Sequence, residues 1–243
     1  PDDLYQKVDV FATTQEDFMA KSIFVKLPHI KSPYPALDRK PIDVNSETTV
    51  HLVILGKNDL AEALAINAAL VAHYPNYCRD HRLRTRISIV ADDISEWKDQ
   101  FVQRYQHLFN NSYYRIINLE EENPHCLCHQ PMYGKTREDF VDVEWEFVNG
   151  NLRNDALRTK LSEWGESENQ QLTVAICTDD QQRNFIEAFT LPEELYKNQI
   201  PVLCYTEESD MMNLIKNDDR YQTVLPFGSY ICQMGILESL KQL

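Results

Sequence analysis

The chain has 243 residues, 43% of them hydrophobic and 26% charged, which suits a globular protein of one large or two small domains with a sizeable core. Thirty-eight acidic against 24 basic side chains leave a net charge of −14. Such a surface repels phosphate backbones and anionic membrane faces, so nucleic acid is excluded as the expected partner. No window of about 18 uninterrupted apolar residues occurs, so no membrane-spanning helix is expected.

Residues 1–48 read as a prelude. "KVDVF" suggests a short strand, and "TTQEDFMAKSIFVKLP" a helix opened by Thr14 and Asp17 as a capping box. The proline-rich stretch up to Thr48 reads as an extended linker. From residue 49 to 243 strands and helices alternate, the pattern of a second, larger domain.

"VHLVIL" (50–55) is a continuous apolar strand, as expected where both sheet faces are covered. A helix follows over 58–73, with Leu60, Leu64, Asn67 and Val71 on one face. Then come the basic loop "RDHRLRTR", read as solvated, and the strand "RISIVA" (86–91). A helix over "DISEWKDQFVQRYQHLF" has Trp97, Phe101, Tyr105 and Leu108 at helical spacing, and Asp93 is placed to cap it. "SYYRIINLEEE" reads as a strand, and "NPHCLCHQPMYGKTRED" as an irregular insertion.

"VEWEFVNGNL" is a strand and turn, leading into the helix "RNDALRTKLSEW". "QLTVAIC" is a buried strand, and Thr178 is placed to cap the helix "TDDQQRNFIEAFTLPEELY". "IPVLCYT", the helix "ESDMMNLIKND", the strand "YQTVLPF" and the helix "GILESLKQL" complete the chain. The expected fold is α/β: one doubly wound, mostly parallel sheet with helices on both faces, a strand-helix prelude, and an insertion near 110–140.

Four groups of residues could carry chemistry. Gly56, Lys57, Asn58, Asp59, Leu60 and Ala61 form a strand-to-helix turn that partly matches the glycine-rich dinucleotide fingerprint. Gly56 suits the tight turn and Ala61 the close helix–strand packing. Asn58 stands where a second glycine would let the backbone approach a pyrophosphate, and Asp59 puts a like charge beside an incoming phosphate. Asp92, at the tip of the second strand, is placed to bond ribose hydroxyls.

Gly150 and Asn151, with Thr178 and Asp179, also lie at the carboxyl ends of strands, where ligands of open α/β sheets bind. The run "HCLCH", His125, Cys126, Cys128 and His129, holds four metal-competent side chains, but spaced too tightly for the usual two-knuckle zinc site. An incidental loop is the plainer reading, so no metal is assigned. Neither a nucleophile motif nor a P-loop occurs, and no catalytic pair is nominated.

The ordered set "HLVILGKNDLAEALAINAAL", "RISIVADD", "EFVNGNLRNDALRTKL", "LTVAICTDDQQRNFIEAF", "IPVLCYT" and "VLPFGS" resembles the TrkA-N or RCK-type regulatory domain of potassium-transport and channel-gating proteins. The chain is similar above all to the bacterial branch in which this domain precedes a ryanodine-receptor-type repeat. The resemblance covers about residues 50–228 and implies a Rossmann fold, binding of NAD(H) or an adenine nucleotide, no catalysis, and a homodimer.

It further implies that Gly56, Lys57, Asn58, Asp59 and Leu60 form the phosphate turn and that Asp92 holds the ribose. Gly150 and Asn151 would sit near the adenine, with Thr178 and Asp179 on the far side. A membrane-transport or ryanodine-receptor-type domain would belong to the same longer chain. The opening "PDDLYQ", without methionine, fits a piece of such a chain, and the six cysteines without a secretory signal fit a cytoplasmic setting. Two other readings stay open: an NAD(P)-dependent oxidoreductase drawing a proton donor from Tyr113, Tyr114, His125 or His129, and a scaffold that binds nothing small.

Overall fold

The computed structural model describes residues 14–25, 32–119, 121, 125–129, 141–207 and 218–228. The expected strand at 7–11 and the helices at 208–218 and 235–243 lie wholly or almost wholly outside the described residues.

Eight strands form one sheet: β1 (Thr49–Leu55), β2 (Thr85–Ala91), β3 (Tyr113–Asn118), β4 (His125–His129), β5 (Val143–Asn149), β6 (Gln170–Ile176), β7 (Val202–Tyr205) and β8 (Val224–Phe227). Their order is β4-β3-β5-β2-β1-β6-β7-β8. Every pairing is parallel except β3 with β4. With β3 and β4 set aside, the order runs third, second, first, fourth, fifth, sixth, and it reverses between β1 and β6. The chain leaves β2, lays β3 and β4 outside the sheet's future edge, and then slots β5 between β3 and β2.

Seven α-helices flank this sheet among the described residues: α1 (Gln15–Phe24), α2 (Asp59–Val71), α3 (Ile94–Arg104), α4 (Gln106–Phe109), α5 (Asp155–Glu166), α6 (Gln181–Phe189) and α7 (Glu193–Lys197). Alternate residues of β1 serve two cores. Leu52 and Ile54 face α1 to α4, whereas Val53 and Leu55 face α5 to α7. This explains why β1 reads as an unbroken apolar run. On the first face α2 presents Ala61, Ala65, Ala68 and Ala69, all fully buried, and their small size draws the helix close to the sheet.

The described part of the prelude packs into the same core. Thr14 caps α1 by accepting from the Asp17 amide at 3.1 Å. Met19, Ala20, Ile23 and Phe24 are buried. The Asn67 side chain of α2 donates to Asp17 at 2.9 Å and ties the two helices together. Residues 32–48 hold no helix or strand. They are fastened at Tyr34, whose hydroxyl donates to the Pro226 carbonyl, and at Lys40, whose backbone exchanges two hydrogen bonds with the Gln171 side chain.

Several elements differ from the sequence reading. Val71 is 42% exposed and lies off the buried face of α2, which runs through Leu60, Ala61, Leu64 and Ala68. The helix after β2 breaks at Tyr105 (φ −109°, ψ 36°), which lets Leu108 and Phe109 both turn inward. Pro192 begins a separate helix, because a proline cannot continue α6. Residues 125–129 form the edge strand β4 rather than an irregular loop, held by backbone pairing with β3 in the register Ile117 to His125.

Two caps also move. Thr178 does not cap α6; Asp180 does, accepting from the Arg183 amide at 3.0 Å. Asp93 sits in the left-handed region (φ 52°, ψ 46°) and makes no side-chain cap. Its amide donates instead to the Asn149 side chain at 3.0 Å.

Candidate functional site

The strand order reverses between β1 and β6, so the loops leaving these neighbours run to opposite faces of the sheet and open a crevice between them. The crevice has a volume of about 300 Å³. Gly56, Lys57 and Asn58 line it after β1, Asp92 after β2, Gly150 and Asn151 after β5, and Thr178 and Asp179 after β6. The fold thus brings together eight of the ten residues singled out from the sequence. The other two, Asp59 and Leu60, line a second depression against α1, with Glu16, Met19, Gln181 and Tyr205.

Gly56 has φ +143°, and a Cβ there would meet the Cys177 carbonyl oxygen at 2.6 Å. Its amide donates to the Val90 carbonyl at 3.0 Å, and the Cys177 amide donates to the Leu55 carbonyl at 2.9 Å. The glycine is therefore demanded by the close meeting of β1 and β6, whatever the crevice holds. Gly150 (φ +151°) has nothing within 4 Å of an added Cβ, so the space above it is open.

Asn58 is the residue whose geometry matters most. Its side-chain oxygen accepts from the Ala61 amide at 3.0 Å and caps α2. Its side-chain nitrogen donates to the Cys177 carbonyl and to an Asp179 carboxylate oxygen, both at 2.8 Å. One carboxamide thus fills a helix N-terminal amide that a phosphate would use, and bridges the end of β1 to the end of β6.

The rest of the lining is also internally bonded. Lys57 Nζ donates to the Asp92 backbone carbonyl at 2.6 Å. The Asn151 side chain donates to the Asp92 carboxylate at 2.6 Å and accepts from the Arg153 amide at 2.8 Å. Arg183 Nε donates to Glu187 at 2.7 Å, which holds the guanidinium pKa above its ordinary value. Lys57 and Arg183 face Asp92, Asp179, Asp180 and Glu187, so the lining carries an excess of acid. Burial pushes the adjoining Cys177 thiol well above the usual range, which leaves it unsuited to nucleophilic work.

Asn184, which the sequence reading passed over, holds the β6 side of the crevice in place. It is fully buried on α6. Its oxygen accepts from the Thr178 amide at 2.9 Å and hydroxyl at 2.6 Å, and its nitrogen donates to the carbonyls of Thr178 and Tyr205. The available signal was an uncharged polar residue on the apolar face of a helical pattern.

A second polar cluster lies within the sheet. His51, Ser88 and Glu146, on β1, β2 and β5, are each at most 2% exposed. Ser88 donates to Glu146 at 2.7 Å and lies 2.7 Å from His51 Nε2. Gln170 approaches His51 Nδ1, and Arg115 pairs with Glu146. With Ser88 donating to Glu146, the serine oxygen accepts from His51, so Nε2 carries a proton, and burial with Arg86 nearby disfavours a second one on the ring. The serine proton is committed to the carboxylate, and the trio is sealed beneath Trp164, whose ring meets His51 edge-on at 4.7 Å. It knits neighbouring strands together.

The metal-competent run lies elsewhere. Cys126 and Cys128 are exposed on β4, and His129 stacks on Tyr114 with its Nδ1 2.8 Å from the Ser112 carbonyl. Among the described residues no group of three or more His, Cys, Asp or Glu side chains is arranged to hold a metal ion. Tyr113, Tyr114 and His129 belong to the β3–β4 edge and do not line the crevice. No described helix is long and apolar enough to cross a membrane. Comparison of the chain with protein-family models, with curated proteins and with solved structures found no match.

Proposed function

We propose that the chain is a non-catalytic, Rossmann-like regulatory domain that binds NAD(H) or an adenine nucleotide at the mouth of its sheet. It passes the bound state to an attached effector or transport domain, as a homodimer in the manner of the TrkA-N and RCK-type domains it resembles in sequence. The single observation that carries this reading is the reversal of strand order between β1 and β6, opening a crevice that has Asp92 at the end of β2 and uncrowded space above Gly150. Asp92 is positioned to accept from a ribose diol, and the space over Gly150 suits a flat base.

The test is a thermal-shift and calorimetric panel of adenosine, ADP, ATP, NAD+, NADH and NADP+. A ligand at about 100 times its Kd stabilises by about 2.7 kcal/mol. Asp92→Asn is expected to weaken the bound ligand at least tenfold; an unchanged affinity would place the ligand elsewhere. Light scattering with and without ligand checks the dimer. The bridge from Asn58 to Asp179 favours a second reading, a scaffold whose crevice is closed on itself. In that case no member of the panel moves the melting temperature.

A further inference from the structure

We infer that the crevice takes a single nucleoside-sized unit, adenosine with any phosphate pointing outward, and rejects dinucleotides. The inference rests on the reading of the crevice as an adenine site. A dinucleotide spans both halves of a doubly wound sheet, and its pyrophosphate crosses the end of the first strand at the helix N-terminus. Here that crossing is built over. The main crevice and the depression against α1 have only Asn58 and Asp179 in common, so the hydrogen bond between these two is the partition.

Three features close the route. The Asn58 oxygen already holds the Ala61 amide, and its nitrogen is held by the Cys177 carbonyl and the Asp179 carboxylate. Asp179 sets a negative charge at the crossing, with Asp59 in the first turn of α2 beside it. The two cations of the lining are engaged, Lys57 with the Asp92 carbonyl and Arg183 with Glu187. What stays open is the side toward β5, where Asp92, Gly150 and Asn151 also line a groove of about 660 Å³. A crevice of about 300 Å³ lies at the lower end of ligand pockets, which run from roughly 300 to 1,000 Å³.

The experiment compares adenosine, ADP and NAD+ by calorimetry on the wild type, Asn58→Gly, and Asn58→Gly with Asp179→Ala. Glycine is tolerated at a helix N-cap, and Asn58 has extended backbone angles, so the first variant keeps the fold; circular dichroism melts check both. The wild type is expected to bind adenosine and ADP with similar affinity and NAD+ at least tenfold more weakly. Opening the partition should shift the NAD+-to-adenosine affinity ratio at least tenfold toward NAD+. Wild-type affinity for NAD+ equal to that for adenosine overturns the inference and leaves the adenine site standing, and so does an unchanged ratio in folded variants. Binding of no adenine compound by any of the three proteins overturns the adenine site and the inference with it.

Discussion

Gly56 and Cys177 stand so close that a Cβ on the glycine would lie 2.6 Å from the Cys177 carbonyl oxygen. The contact locks the carboxyl end of β1 against the end of β6 at the point where the strand order turns. Gly56→Ala must relieve this clash and also hold an L-residue at φ +143°. Each effect is worth roughly 1–3 kcal/mol, so a loss of about 3 kcal/mol in urea unfolding is expected with no ligand present. A variant as stable as the wild type would show that the two strand ends can separate. Binding lost by any Gly56 variant is therefore read only beside its stability.

Asn184 and Thr178 form the complementary lock on the β6 side. Asn184→Ala removes four hydrogen bonds and leaves the Thr178 amide and the carbonyls of Thr178 and Tyr205 without that partner in a partly buried place. Orphaned buried groups cost about 1–3 kcal/mol each before relaxation. A net loss of about 3 kcal/mol is expected in chemical denaturation. Ile186→Ala, on the exposed side of the same helix at 61% exposure, should stay within about 0.5 kcal/mol. Equal costs for the two would mean that Asn184 does not anchor the strand ends.

The sequence made the alternation of strands and helices legible for a physical reason. β1 and β6 are buried on both faces, so they read as largely apolar runs without a polar alternation, and the turns after them carry Gly56 and Thr178 where a chain leaving a sheet must bend. The same logic placed Asp92, Gly150 and Asn151 at one mouth. Long-range partners were not legible. Asn58 looked like a misplaced side chain in a phosphate turn, yet its partners Cys177 and Asp179 are more than a hundred residues away in the chain. β4 escaped because its residues carry no burial alternation and it is held by backbone pairing at an exposed edge. His51 sat unnoticed within an apolar run, because nothing local shows that Ser88 and Glu146 meet it from two other strands.

That hidden trio makes acid stability testable. Burial, with Arg86 nearby, lowers the His51 pKa from 6.5 to about 3. Below pH 6.5 the unfolded chain binds a proton at this residue that the folded chain refuses, so stability rises with pH across this window and falls on acidification. Burial alone would raise the Glu146 carboxyl, but the Arg86 and Arg115 guanidiniums and the hydrogen bond from Ser88 bring it down to about 2. A depressed carboxylate stabilises above its unfolded value of 4.5, and that contribution fades as pH falls toward 2. The two act in one direction, and His51 starts first. Between pH 6.5 and 4.5, His51→Gln, which cannot titrate, should lose less stability than the wild type. Its deficit should narrow with a slope that approaches about 1.4 kcal/mol per pH unit at the acid end of this window. Urea unfolding of both proteins at pH 7.0, 6.0 and 5.0 measures this, and a deficit constant across that series would mean that His51 takes up its proton equally in the folded and unfolded chains.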